Sequence, residues 1–167
     1  MLMLLAAAPA RSQESLRITP LTYNNHVVVS FELNDAYNEA VREAIASGLR
    51  TTFTYTISLR MNSALWLDPT VATAVVSSTD EFDNLTRRHK LTRAVDGRVV
   101  DALVTEDAAV ARKWLTTLDR VPVCTTAKLD QNRDYYVRIS AQARPRGGSL
   151  LGFTSAVTGQ AKFTLIR

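Results

Sequence analysis

Two histidines, one cysteine and a short run of acids carry most of the chemistry available to this chain. His26 and His89 lie far apart, each in a segment with strand character, and neither has a second histidine at helical or metal-ligand spacing. Without a second ligand at that spacing, the plainer reading is a surface or hydrogen-bonded side chain. Cys124 is the only cysteine, which rules out an internal disulfide, a Cys-rich zinc site and a CxxC pair. Nothing near it in sequence would activate a thiolate, and it reads as a small buried apolar group. Asp80, Glu81 and Asp83 offer hard oxygen ligands but lack the repeat spacing and turn glycine of a calcium loop, so a solvated hairpin end is expected there. HExxH, GxSxG and a phosphate-cradling glycine loop are all missing. The sequence therefore assigns no catalytic, cofactor-binding or metal residue, and the chain reads as non-enzymatic.

Two stretches suit binding instead. In "RRHK", Arg87, Arg88 and Lys90, with Arg93 and Arg98 nearby, form a basic strand patch suited to anionic lipid headgroups, a glycan or an acidic partner; protection of a strand edge by charge is the alternative. The segment "PRGGSLLGFTSAVTG", residues 145–159, places Leu150, Leu151 and Phe153 among glycines. A connection of that length is uncommon in a compact domain. Its apolar tip either meets a partner protein or membrane surface or folds back onto the domain.

The elements that position these stretches follow from periodicity. In "TTFTYTISLRM" Phe53, Tyr55, Ile57, Leu59 and Met61 alternate with polar side chains, the pattern of a half-buried strand. "HVVVSFEL" repeats it, with Asn24-Asn25 as the turn from "LRITPLTY", whose Pro20 places that strand at an edge or bulge. "TVATAVVSSTDEF", "LTRRHKLTRA" and "RVVDALVT" read as a meander turning at Asp83-Asn84 and Asp96-Gly97. Period four intrudes twice. Tyr37, Val41, Ile45 and Leu49 predict a helix over about 34–48 capped by Asn34, and Val110, Trp114 and Leu118 predict one over about 106–118 capped by Thr105. About eight short strands with turn signals predict a mainly β, two-layer antiparallel sandwich with two accessory helices.

In "LDQNRDYYVRISAQARP", Leu129 followed by Tyr135 and the alternating Val137, Ile139 and Ala141 resembles the tyrosine corner and following strand of fibronectin type III and immunoglobulin-like sandwiches. That resemblance implies an immunoglobulin-like sandwich whose Tyr135 hydroxyl bonds back to upstream backbone. A wider resemblance rests on the blocks "FELNDAY", "SGLRTTFTYTISLR", "DNLTRRH", "KWLTTLDRVP", "YYVRISAQARPR" and "KFTLIR". They are similar to an uncharacterised family of exported bacterial proteins catalogued as a domain of unknown function. The resemblance implies a Gram-negative envelope setting and, because some members lie beside genes for a membrane sensor kinase, a link to envelope signalling.

Composition fits one domain. The 167 residues are 46% apolar and 22% charged, and a net charge of +4 from 20 basic and 16 acidic residues is spread along the chain, too weak a balance for nucleic acid. The run Leu2 to Ala8, followed by small residues, resembles the core and cleavage zone of a signal peptide without its basic start. Residues 1–12 are thus expected to be removed, leaving a mature domain over 13–167 with no transmembrane segment. The sequence reads as a non-catalytic periplasmic module, without cofactor, that meets an envelope protein or membrane surface. The competing reading is a small-ligand carrier or hydrolytic enzyme with its pocket between a helix and the sheet.

Overall fold

A computed structural model describes residues 16–64, 67–145 and 157–164 of the chain. Leu150, Leu151 and Phe153, most of the connection around them, and the N-terminal residues 1–15 lie outside the described residues. Nine strands and two α-helices are described: β1 (Arg17–Tyr23), β2 (His26–Glu32), α1 (Glu39–Ala46), β3 (Thr51–Met61), β4 (Thr70–Asp83), β5 (Arg88–Val95), β6 (Arg98–Thr105), α2 (Ala108–Thr116), β7 (Thr117–Thr125), β8 (Tyr135–Pro145) and β9 (Val157–Phe163). Every strand pairing is antiparallel. One sheet runs β1-β2-β7 and the other β6-β5-β4-β3-β8-β9. They face each other as a sandwich, the expected mainly β architecture.

The core is the period-two pattern made physical. Phe53, Tyr55, Ile57 and Leu59 of β3 are all buried, and between β3 and its neighbours lie Val76 of β4 and Val137, Ile139 and Ala141 of β8. The smaller sheet closes over them with Val27, Val29, Phe31 and Leu118. Phe31 meets Tyr55 edge-on, with ring centroids 4.9 Å apart, the geometry that aromatic quadrupoles favour. At the far side β1 leans directly on β9. A Cβ built on Gly159 would lie 2.8 Å from Leu16 Cδ2 and 3.2 Å from Ile18 Cδ1, so a larger residue there would have to push those side chains aside. Gly159 was expected in the connecting loop; it stands inside β9, which begins at Val157.

The turns follow backbone stereochemistry. Asn24 and Asn25 have φ of 47° and 59°, and Asp96 and Gly97 have 48° and 80°, the left-handed pairs that two-residue hairpins require. Pro20 lies on β1, an edge strand as anticipated. The helices are shorter than their periodicity implied. α1 is capped by Asn38, whose Oδ1 accepts from Val41 N at 3.0 Å, and Asn34 belongs to a single 3₁₀ turn before it. α2 is capped by Asp107, whose Oδ1 accepts from Ala109 N at 2.7 Å, and Thr105 instead accepts from Asp107 N. The ranges 34–48 and 106–118 therefore contract to Glu39–Ala46 and Ala108–Thr116. α2 buries Ala111 and Leu115 and leaves Val110 exposed, and Leu118 reaches the core from β7, a strand the sequence concealed.

Tyr135 holds the turn before β8. Its hydroxyl accepts from Asp130 N at 2.8 Å and lies 3.3 Å from Asp130 O, to which it donates. Leu129, also buried, closes the turn through its N–H to Thr126 O at 3.0 Å. Tyr136 points the other way and donates to Asp68 Oδ2 at 2.9 Å. Tyr135→Phe should lower stability by about 0.5 to 1.5 kcal/mol, because the part-buried bond from Asp130 N loses its acceptor. Tyr136→Phe should do less, and urea midpoints of the two variants measure the ranking.

Candidate functional site

The end of the larger sheet beyond β4 differs from the rest of the molecule in both its interior and its rim. Inside, β4 and β5 bring together two groups that the sequence left apart. Pairing places Phe82 opposite His89 and Asp80 opposite Leu91, so Asp80 and His89 share a face on diagonal positions. His89 Nδ1 donates to Asp80 Oδ2 at 2.9 Å and lies 3.1 Å from Oδ1. Both are buried, Asp80 completely, and the His89 ring meets Phe82 at a tilt, with centroids 4.6 Å apart. Burial pushes the Asp80 carboxyl above its ordinary range, against the smaller opposing pull of His89. Tyr37, beside the first turn of α1, is also pushed up, first by its own burial and then by the Asp80 charge.

The acids expected at a solvated hairpin end therefore diverge. Asp80 turns inward and Glu81 lies across from Lys90. Asp83 accepts from the N–H groups of Leu85 and Thr86, which hold its carboxyl below the usual range. No group of three His, Cys, Asp or Glu side chains suited to a metal ion occurs among the described residues. His26 is exposed and paired through Nδ1 with Asn24 O at 2.8 Å. Cys124 is buried, and that burial pushes its thiol up, away from a reactive thiolate.

Arg93 joins sheet to helix. It was grouped with the basic patch, but its guanidinium turns inward over the Trp114 ring at 4.3 Å and donates to Trp114 O at 2.6 Å. Weaker bonds reach Ser78 Oγ and Thr117 O at 3.3 and 3.4 Å. Trp114 Nε1 returns a bond to Thr92 O, and the Tyr55 hydroxyl donates to Leu115 O at 2.5 Å. The carbonyls that a helix leaves unpaired at its C-terminus are thus bound by the sheet beneath, and desolvation holds the Arg93 pKa below its ordinary value.

Arg87, Arg88 and Lys90 of the patch sit at the surface with partners. Arg88 pairs with Glu106 at 3.0 Å, Lys90 approaches Asp83 at 3.8 Å, and Arg87 lies 5.9 Å from the Phe82 ring. β5 is an interior strand and not a sheet edge. The local field is correspondingly mixed, since each of these cations stands beside an acid or an aromatic face.

The rim is β6, which among the described residues pairs only with β5. Its residues from Arg98 to Val104 are exposed, including Val99 at 67%, Val100 at 59%, Leu103 at 41% and Val104 at 58%. Val99, Ala102 and Val104 lie across from Ala94, Thr92 and Lys90 on the outer face, and Leu103 lies across from buried Leu91 on the inner face. A bulge at Val100 separates the Ala94–Val99 pair from the Arg93–Asp101 pair. Proline is absent from β6, and Arg98 and Asp101 are its only charges. An open, apolar edge with so few protective features is a template for pairing with another strand. Residue exposure cannot be read from alternation alone, because "RVVDALVT" has the composition of a buried strand; its place last in the meander was the available clue.

A cleft of about 810 Å³ lies at the opposite end of the sheet, lined by Asn62, Asp68, Asp134, Tyr136, Gln160 and Lys162 among others. A bond from Ser63 N and then the bond from Tyr136 keep Asp68 ionised below the usual carboxylate range. No helix of the described residues is long and apolar enough to cross a membrane.

No curated protein and no solved structure matches this chain. A family model, described as "Domain of unknown function (DUF4390)", matches residues 11–145. That span runs from before β1 to the end of β8 and includes the Asp80–His89 pair, Arg93 and the β6 edge. The chain belongs to the DUF4390 family.

Proposed function

We propose that this chain is a non-catalytic, exported interaction module that works in the periplasm through protein–protein contact, with β6 as its contact strand. The observation that carries the reading is the open β6 edge, exposed on both faces and apolar at Val99, Val100, Leu103 and Val104. Such an edge supplies main-chain hydrogen bonds for affinity and alternate side chains for selection, the mode by which sheets take up an additional strand. The apolar N-terminal run and the membership in a family resembling exported proteins support the periplasmic setting. A photo-crosslinking residue at Val104 should give a protein adduct in the periplasmic fraction of a Gram-negative host, and the same residue at exposed Thr73 should not. Absence of an adduct at Val104 would remove the contact strand, and recovery of the chain from the cytosol alone would remove the setting.

A second reading is favoured by the polar cleft at Asp68 and Tyr136: a carrier for a small polar ligand. Its convergent carboxylates, phenol, amide and amine suit a zwitterionic molecule. Thermal shift against amino acids and short peptides checks this directly, and loss of any shift in Asp68→Asn would place the ligand there.

A further inference from the structure

We infer that the partner seated on β6 is a second copy of this chain, pairing antiparallel about a two-fold axis through Ala102. The inference rests on the reading of β6 as the contact strand and adds to it the identity of the occupant.

Side-chain facing restricts how β6 can pair with itself. Across β5, Arg98, Asp101, Leu103 and Thr105 share the inner face, and Val99, Ala102 and Val104 share the outer face. Because Val100 is the extra residue of a bulge, the parity of the two halves differs. Opposed residues of an antiparallel ladder must point to the same side. With Ala102 facing Ala102, Asp101 faces Leu103 of the second copy, and both are inner residues. If Val100 bulges against the new neighbour as it does against β5, Val99 then faces Val104 and Arg98 faces Thr105. Every pair matches in facing, and all of β6 except Val100 is used. The outer face gains a continuous row in which Val99 meets Val104 on either side of Ala102.

Charge favours the same arrangement. Arg98, at the start of β6, is exposed, and the strand ends at Thr105 followed by the acids Glu106 and Asp107. An antiparallel two-fold brings each Arg98 to the acidic end of the other copy. A parallel pairing would bring like charges together and would need the symmetry broken. Ala102 is the smallest side chain in the strand, and its place on the axis lets the backbones approach without a clash.

The test uses the whole chain. Sedimentation and light scattering should show the wild type passing from monomer to dimer with concentration. Val104→Lys should raise the dissociation constant at least tenfold without lowering the melting temperature measured at concentrations where the wild type is monomeric. Ala102→Cys should form a covalent dimer under mild oxidation, since directly opposed Cβ atoms lie about 4.5 to 5.5 Å apart, near disulfide reach. Thr73→Cys, on the outer face of β4, should not. Buried Cys124 stays as a common background. A wild type that is monomeric throughout, or an Ala102→Cys protein that crosslinks no better than Thr73→Cys, overturns the inference. If in that case photo-crosslinking at Val104 still captures a different protein, the contact strand stands and only its occupant is wrong; if no adduct forms either, both readings fall.

Discussion

His89→Ala should destabilise the fold by about 3 to 5 kcal/mol at neutral pH, the cost of leaving a buried ion without its partner. Asp80 is fully buried and its hydrogen bonds from His89 Nδ1 would be lost outright. The pH dependence has a defined sign. Burial raises the folded pKa of Asp80 above its unfolded value, so the folded state holds the proton more tightly. The contribution of that group is fully present below the ordinary carboxylate pKa and is lost as pH rises through the raised folded value. Without His89 the raising grows, and the deficit of His89→Ala against wild type should shrink as the solution is acidified. Asp68, Asp83 and Asp119 have lowered pKa values and lose their contribution as pH falls, but they do so in both proteins and cancel in the difference. Urea unfolding of the two proteins across the acid range measures this. A deficit that is small, or constant with pH, would mean that the pair is not the buried couple described. Replacing both residues by leucine should recover much of the loss, because an apolar pair needs no mutual compensation.

Arg93→Met should cost roughly 2 to 4 kcal/mol, combining a charge-assisted hydrogen bond with the stack on Trp114. The damage should concentrate at the end of α2, where the carbonyls of Trp114 and of Thr117, the residue after the helix, lose their donor. Hydrogen exchange should therefore accelerate over Ala108–Thr116 before it does so in β3. Arg93→Lys should fall between wild type and Met, since an ammonium keeps the charge but cannot reproduce the planar fork. Equal protection of α2 in Arg93→Met and wild type would show that packing of Ala111 and Leu115 alone holds the helix.

What the sequence disclosed, and what it hid, divides along a physical line. β3 was legible because Phe53, Tyr55, Ile57 and Leu59 face one core and the intervening polar residues do not. Asn24-Asn25 and Asp96-Gly97 were legible because left-handed backbone restricts residue choice locally. Tyr135 was legible because its bond reaches only to Asp130. β7 was not: Trp114 and Leu118 continue a period of four across the end of α2, and the left-handed Arg120 and Pro122 break the alternation that would have announced a strand. The Asp80–His89 pair was hidden in a different way. Its members lie on two strands around a turn closed by Asp83, and only the register that sets Phe82 opposite His89 brings them to one face. The basic patch looked continuous in sequence, yet alternation sends Arg93 inward while Lys90 stays at the surface.

The central position of β3 bears on how the chain acquires its structure in time. Thr51 pairs with Pro145 and Met61 with Tyr135, so the ladder between β3 and β8 joins segments separated by most of the domain. Closing such a long loop is entropically costly before any contact rewards it, and topologies dominated by distant pairings reach their native state slowly. During synthesis, β3 can zip onto β4 early, but its other flank stays unsatisfied until β8 has been made. A nascent chain stalled anywhere before Tyr135 would leave the β8 flank of β3 unpaired, an open strand edge dependent on holding factors and prone to mispairing. Commitment to the finished sandwich thus comes late, when the last fifth of the chain arrives.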